Sequence, residues 1–229
     1  MGNPDRPPVL LVHGWGGSFA STWQSTGFDL LLSETGGVPI GVDLLGHGEA
    51  PRSHDPADYQ DLTPRIVEHL GDRPVDAVGF SLGALTLLRV ACERPGSFRR
   101  LVLGGIGRNA VETSTNSERS VLVAAIRGEY EGDDNLPRQF AQYAHQPGND
   151  PESLAAALLA DRPPFTAEDL SRVDAEVLIV IGDRDFAGPG EPLQELIAGS
   201  RLITVARCDH FALTENFTFF DAVFDFLAE

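Results

Sequence analysis

Six short runs of β-branched and aliphatic residues recur along the chain: Val9 to His13, Val38 to Asp43, Val75 to Phe80, Leu101 to Gly104, Val177 to Ile181 and Leu202 to Val205. Each is bounded by turn residues, and several are apolar at nearly every position rather than at alternate ones. A strand with one wet face alternates polar and apolar residues; a strand covered by helices on both faces does not. The runs therefore predict a parallel sheet, and the segments between them supply the helices it needs. Leu82 to Glu93 carries Leu82, Leu85, Leu88 and Val90 and stops before Pro95-Gly96. Thr63 to Leu70 opens with Thr-Pro, a capping residue followed by proline at the first helical position. Phe217 to Leu227 puts Phe220, Val223, Phe224 and Leu227 on one stripe. Strand and helix alternate through most of the chain, which predicts an α/β fold with a doubly wound, mostly parallel sheet of about six strands. Ligands of such folds sit beyond the carboxyl ends of the strands.

The alternation breaks once. From Asn109 to Ser171 no strand pattern occurs, and helical pieces (Arg119 to Glu129, Leu136 to Ala144, Pro151 to Ala160) are separated by Gly-Asp-Asp, Pro-Gly-Asn-Asp and Arg-Pro-Pro breaks. Such a stretch is too long for an ordinary connection and too apolar for a linker. We read residues 109–171 as a helical cap inserted over one end of the sheet, and residues 1–108 with 172–229 as the core. A chain of 229 residues suits one domain of this kind.

The most informative pentapeptide is Gly79-Phe80-Ser81-Leu82-Gly83. It follows the run Val75 to Val78 and opens the helix at Leu82, giving the strand, sharp turn and helix that a Gly-x-Ser-x-Gly nucleophile requires. The glycines let strand and helix approach closely while the turn holds the serine in a strained conformation. A serine hydroxyl is inert at neutral pH without a base. Of the six histidines, His210 follows the last strand run, so its loop falls at the same sheet edge as Ser81; His69 lies in a helix pattern, His145 in the insertion and His54 in a polar loop. The base needs a carboxylate to fix its tautomer. Gly182-Asp183-Arg184-Asp185 follows the strand run Val177 to Ile181; Asp185 is the preferred acid and Asp183 the alternative. The order Ser81, Asp185, His210 is the one expected for hydrolases of this topology. Oxyanion donors are the backbone N–H groups of Leu82, at a helix N-terminus, and of Trp15, in the loop His13-Gly14-Trp15-Gly16-Gly17.

These pieces, with Asp43-Leu44-Leu45-Gly46-His47-Gly48 and Asp209-His210-Phe211 followed by Glu215-Asn216, make the sequence resemble the α/β-hydrolase superfamily over positions 9 to 227. The resemblance implies a serine hydrolase working through an acyl-enzyme, with His13 and His47 holding loops rather than reacting. Two departures stand out. Only eight residues precede Val9, too few for the antiparallel hairpin that usually opens the family's sheet. Asp209 stands where the family more often has glycine, and we read its carboxylate as facing solvent.

Alternatives on other grounds are weaker. Gly14-Trp15-Gly16 after a strand, with Asp43 ending the next, resembles a dinucleotide site, but Phe19 occupies the third glycine position, where a bulky group blocks phosphate approach. A non-catalytic binding protein on this fold would be expected to lack a triad member, and all three are present. Dehalogenases and epoxide hydrolases of the superfamily use an aspartate where Ser81 stands. Thioesters, lactones, activated C–C bonds and cofactor-free perhydrolysis stay open beside esters.

The chain has 34 Asp plus Glu against 17 basic residues, all arginine, for a net charge of −17. That excludes a phosphate-tracking nucleic-acid binder and an anionic-membrane binder, and it disfavours large polyanionic substrates unless a local arginine cluster offsets the field. No apolar run is long enough to span a bilayer, and the first residues lack the features of a signal peptide. Cys92 and Cys208 are read as free thiols. The expectation is a cytoplasmic monomer or small homo-oligomer, acting without cofactor or metal on a small to medium, largely apolar carboxylic ester. Trp15, Phe80 and Leu82 are expected to line the substrate site, with Tyr130, Phe140, Tyr143, Leu158 and Phe165 of the insertion as its roof.

Overall fold

Six strands, β1 (Pro8–Val12), β2 (Val38–Val42), β3 (Val75–Phe80), β4 (Phe98–Gly104), β5 (Glu176–Gly182) and β6 (Arg201–Val205), form one sheet in the order β2-β1-β3-β4-β5-β6, every pair parallel. The computed structural model describes residues 7–112 and 116–229. Residues 1–6, where the predicted core begins, and residues 113–115, inside the predicted insertion, lie outside the described residues. The near-continuous apolar character of the strands has the expected cause. Leu10, Val12, Ala77, Leu101, Leu103, Val177 and Ile179 face one apolar layer, while Val9, Leu11, Val78, Val102, Leu178 and Val180 face the other.

The first layer is closed by α2 (Pro64–Val67), α3 (Leu82–Glu93) and α8 (Glu191–Gln194), which contribute Ile66, Leu87, Leu88, Val90 and Leu193. The second is closed by α1 (Phe28–Glu34) and α9 (Phe217–Ala228), where Trp23, Phe28, Phe219 and Phe220 form an aromatic cluster with ring centroids 5.0–6.4 Å apart. The helix predicted over 63–70 is shorter. Its proline stands at the first position as expected, but Thr63 does not cap: its hydroxyl donates to Asp61 instead. Beyond Val67 the chain continues in tighter turns, with His69 N–H donating to Ile66 and Leu70 N–H to Val67.

Between β4 and β5 the described residues form no strand but, after a single 3₁₀ turn at Arg108–Ala110, four α-helices, α4 (Asn116–Ile126), α5 (Asn135–Ala144), α6 (Pro151–Leu159) and α7 (Ala167–Leu170). Asp150 caps α6, with Pro151 at its first position, and Thr166 and Asp169 form a capping box on α7. Val123, Ile126, Ala144, Leu154 and Ala155 make a separate small core among α4, α5 and α6, and Trp15 packs against it. Loops at the carboxyl edge of the sheet hold these helices in place. The Trp15 indole N–H donates to the Leu154 carbonyl at 3.0 Å, Asn149 donates to the Gly16 carbonyl at 2.8 Å, and Arg52 donates to the Gly148 carbonyl at 2.6 Å.

The strand order fixes where a ligand can sit. From β1 the chain goes outward to β2 and then returns to place β3 on the other side of β1. The loops after β1 and β3 therefore diverge and leave a crevice at the carboxyl edge, the switch point at which open α/β sheets bind ligands. Gly83 closes the base of that crevice. A Cβ there would stand 2.5 Å from the carbonyl oxygens of both Val12 and His13. Gly83→Ala is therefore expected to cost about 1–3 kcal/mol, seen as a thermal midpoint lower by roughly 2–12 °C for a domain of this size. Gly71→Ala, where a Cβ meets nothing within 4 Å, is expected to leave the midpoint unchanged or slightly higher.

Candidate active site

Ser81 joins β3 directly to α3, with no intervening loop, and takes φ 51° and ψ −114°. A side chain in this region is strained, so the surroundings must hold it. The Ser81 N–H donates to the Gly104 carbonyl at 2.8 Å, and its own carbonyl accepts the Leu85 N–H at 2.9 Å as the first bond of α3. Gly79 makes the turn possible, since a Cβ there would lie 2.7 Å from the backbone nitrogen of Ala84.

The Ser81 hydroxyl lies 3.0 Å from Nε2 of His210, in the loop after β6. Across the ring, Nδ1 of His210 lies 2.8 and 2.9 Å from the two carboxylate oxygens of Asp185, in the loop after β5. A carboxylate only accepts, so the Nδ1–H donates to Asp185 and Nε2 is left to accept the serine proton. Asp185 is buried and also accepts the Ala187 N–H at 2.8 Å. The His210 ring is packed among Phe186, Phe80 and Phe211, with centroids 4.2, 4.8 and 5.6 Å away. Asp183, the alternative acid, is exposed and does not meet His210. Backbone N–H groups of Arg207 and Cys208 hold its carboxyl below the usual range, so it orders the turn that delivers His210. Asp209 is exposed, as read from the sequence, and accepts the Ala212 N–H at 3.0 Å.

Leu82 is the first residue of α3, and the first N–H groups of a helix have no partner within it. Trp15 occupies the second position of a turn closed by Gly17 N–H to the Gly14 carbonyl at 3.1 Å, with Gly16 at φ 73° in the third. That turn leaves the Trp15 N–H outside its own hydrogen bond. A Cβ on Gly14 would meet the Ser81 Cβ at 3.2 Å, so the two loops face each other across the switch point.

A cavity of about 170 Å³ opens at Ser81 and His210, with Trp15, Phe80, Phe140, Tyr143 and Phe211 on one part of its wall and the polar residues Thr22, Thr26, Gln146, Thr214 and Glu215 on the rest. Of the residues expected to line a substrate site, Trp15, Phe80, Phe140 and Tyr143 line this cavity. Leu82, Leu158 and Phe165 line a second cavity of about 270 Å³, which shares Phe140 as a wall with the first. Tyr130 lines neither: it sits past the end of α4, and its hydroxyl donates to Asp134 at 2.5 Å. Phe186 and Phe211 went unread in the sequence, although each follows a triad candidate directly.

A family model described as the alpha/beta hydrolase family matches residues 9–222. The chain belongs to the alpha/beta hydrolase family. A pimeloyl-[acyl-carrier protein] methyl ester esterase of Neisseria meningitidis serogroup C is 28% identical over 229 residues, covering 88% of this chain and 86% of the relative. A 2-hydroxymuconate semialdehyde hydrolase of Pseudomonas putida is 30% identical over 97% of this chain and 87% of the relative. The crystal structure of the enol-lactonase from Burkholderia xenovorans LB400 superposes with a TM-score of 0.77 at 22% identity, covering 100% of this chain and 94% of that one. The protein is thus an enzyme, a hydrolase. No helix among its described residues is long and apolar enough to cross a membrane.

Beneath the site of this hydrolase lie two buried histidines. His13 donates through Nδ1 to the Gly14 carbonyl at 2.7 Å and accepts the Leu44 N–H at Nε2 at 3.1 Å, tying the loop after β1 to the loop after β2. His47 donates to the Leu45 carbonyl at 2.8 Å. Asp43 accepts the Phe19 N–H at 2.7 Å and the Glu49 N–H at 2.9 Å, so the carboxylate a dinucleotide site would need is already engaged in holding loops. Burial lowers the pKa of His13, and it pushes His47 down to about 3, helped by the charge of a protonated His13. In the unfolded chain His47 protonates near 6.5, but in the folded one not until about 3. Between those values the unfolded state binds more protons, so the stabilisation is full above pH 6.5 and is lost as pH falls toward 3. From about pH 6.5 to 5, unfolding free energy is expected to fall with a slope approaching ~1.4 kcal/mol per pH unit for each such histidine. His47→Asn should flatten that slope, read from urea midpoints at about pH 7, 6 and 5; equal slopes in the two proteins would count against it.

Proposed function

We propose that the enzyme hydrolyses a small to medium, largely apolar carboxylic ester through a covalent acyl-serine. The observation that carries this reading is the line of Ser81, His210 and Asp185 with its two hydrogen-bonded links. In it, Ser81 Oγ attacks the ester carbonyl carbon as its proton passes to Nε2 of His210. Asp185 holds the imidazole in the tautomer that can accept that proton and balances the imidazolium that forms. The carbonyl oxygen, now carrying the negative charge, receives the N–H groups of Leu82 and Trp15. Collapse breaks the bond to the alcohol oxygen, which leaves with the proton from His210. Water then enters, gives a proton to His210 and its hydroxide to the acyl carbon, and the second collapse returns that proton to Ser81 and releases the acid.

Substrate size follows from the site. A cavity of about 170 Å³ accommodates a short acyl or alcohol group, and the five aromatic rings on its wall offer an apolar group a surface to pack on beside the polar residues Thr22, Gln146, Thr214 and Glu215. In this reading residues 109–171 act as a cap over a core of residues 1–108 and 172–229, with Phe140 and Tyr143 lowered toward the nucleophile and Trp15 bridging cap to core. The relative named for a methyl ester supports an ester as the scissile group.

A panel of chromogenic esters of increasing acyl length tests the assignment. Ser81→Ala is expected to lose turnover to background and labelling by a serine-directed phosphonate. Asp185→Asn should lower kcat by about 10³–10⁴-fold, whereas Asp183→Asn, acting only through loop order, should cost no more than about tenfold. If Asp183→Asn has the larger effect, the acid is misassigned; if no ester is cleaved and Ser81 is not labelled, the reading fails.

A further inference from the structure

The second cavity, about 270 Å³, lies against the first with Phe140 as their common wall and Leu82, the neighbour of Ser81, on its own lining. Its lining is unlike the surface around it. In a chain of net charge −17, three of the 17 basic residues, Arg89, Arg119 and Arg162, meet here. Arg89 lies 3.9 Å from Asp169 and over the Phe165 ring at 4.2 Å. The other two have no ion pair among the described residues. Arg162 donates to the carbonyls of Tyr59 at 2.8 Å and Ala157 at 2.9 Å, and Arg119 to the carbonyl of Ala160 at 3.0 Å. A guanidinium has five N–H donors, so these bonds leave both groups with donors to offer and a full charge to balance.

The environment sharpens the point. Burial and the repulsion of Arg119 push the Arg162 guanidinium down to about 10, so it remains charged at neutral pH with no ion-paired carboxylate among the described residues. Buried charges are ordinarily paired. The acidic groups on the same lining are already engaged: Asp61 accepts the backbone N–H and hydroxyl of Thr63 at 2.8 and 2.7 Å, and Glu112 lies 3.5 Å from Arg108. The rest of the wall mixes the neutral polar residues Gln60, Thr63, Thr86 and Asn109 with apolar ones that include Leu85, Leu122, Leu158 and Phe165.

We propose that this cavity is a subsite for a carboxylate at the far end of the substrate, so that the preferred ester is a half-ester of a dicarboxylic acid. This rests on the ester-hydrolase reading above and adds to it the class of substrate. The ester group sits at Ser81, an aliphatic spacer passes Leu82 and Phe140, and the free carboxylate meets Arg119 and Arg162. Arg162 also ties the carboxyl end of α6 to Tyr59 of the core, and Arg119 ties it to α4, where a positive charge suits a helix terminus. A purely structural role would affect every substrate alike, and the test separates the two.

The experiment compares kcat/KM, by pH-stat, for monomethyl esters of dicarboxylic acids of increasing length with methyl esters of the matching monocarboxylic acids. At the best length the carboxylate ester is expected to be favoured by about tenfold or more, the size of one charge-assisted pairing. Arg119→Gln, and separately Arg162→Gln, should bring that ratio toward one, chiefly through KM. A ratio near one in the unaltered enzyme, or a variant that lowers both substrates equally, overturns the subsite and leaves the hydrolase reading standing. A phosphate-ended ester preferred over the carboxylate-ended one overturns the choice of carboxylate. Failure of both ester series, in an enzyme whose Ser81 is also not labelled, overturns the hydrolase reading and the subsite with it.

Discussion

Gly83 brings the first turn of α3 so close to the carbonyl oxygens of Val12 and His13 that not even a methyl group has room. Much of the site follows from that contact. It presses the start of α3 against the end of β1, so strand β3 must turn into helix within one residue, and that residue, Ser81, is forced to φ 51°. A serine in a relaxed loop would point along the surface; this one is raised at the carboxyl edge of the sheet. The same closeness sets the unpaired N–H of Leu82 beside the loop that carries Trp15. The strain is sustained by ordinary bonds on either side, to Gly104 and Leu85, within an apolar core that covers both faces of the strand.

The loops that frame Ser81 are held by buried neutral histidines together with the carboxylate of Asp43. His13 links two loops through one donor and one acceptor, which only the neutral ring provides. Asp43, less deeply placed, gathers two backbone N–H groups from opposite sides. Neutral histidines in this position avoid placing a second imidazolium beneath His210, so the positive charge that develops there in the proposed reaction has Asp185 as its only close counterpart. The two layers of histidines are thereby kept apart: those below are held as neutral connectors by burial, and the one above is bonded to Ser81 and Asp185.

The strands, α3, α9 and the relay of Ser81, His210 and Asp185 were legible in the sequence because their signals are local and repeated. A doubly covered strand must be apolar throughout, and a nucleophile turn needs glycines at fixed offsets, so Val75 to Gly83 announces both in nine letters. The choice of Asp185 over Asp183 was legible only as a preference, since both lie in one tetrapeptide and the difference is which carboxylate turns inward. Helix α1 escaped notice because it begins after Gly27 at φ 74° with no side-chain cap. Tyr130 was misjudged because an aromatic residue in an insertion carries no mark of the direction it faces. The meeting of Arg119 with Arg162 was invisible for a related reason: one lies on α4 and the other in the segment after α6, and only tertiary packing brings them to one cavity, which no short-range pattern encodes.

That meeting changes what the acidic composition means for a ligand. Net charge acts through solvent, and at physiological salt its influence decays over about 8 Å, so carboxylates on the outer surface contribute little inside a cavity walled by protein. A guanidinium withdrawn from water is screened far less, and its attraction for an anion is correspondingly larger. The excess of acidic residues thus bears on how a large polyanion would approach, while the affinity of the inner cavity is set by the few charges that line it. An enzyme can therefore be strongly acidic overall and still favour a small carboxylate. What decides is where its scarce positive charges are placed, and here the part-buried Arg119 and Arg162 line the cavity next to Ser81 with no ion-pair partner among the described residues.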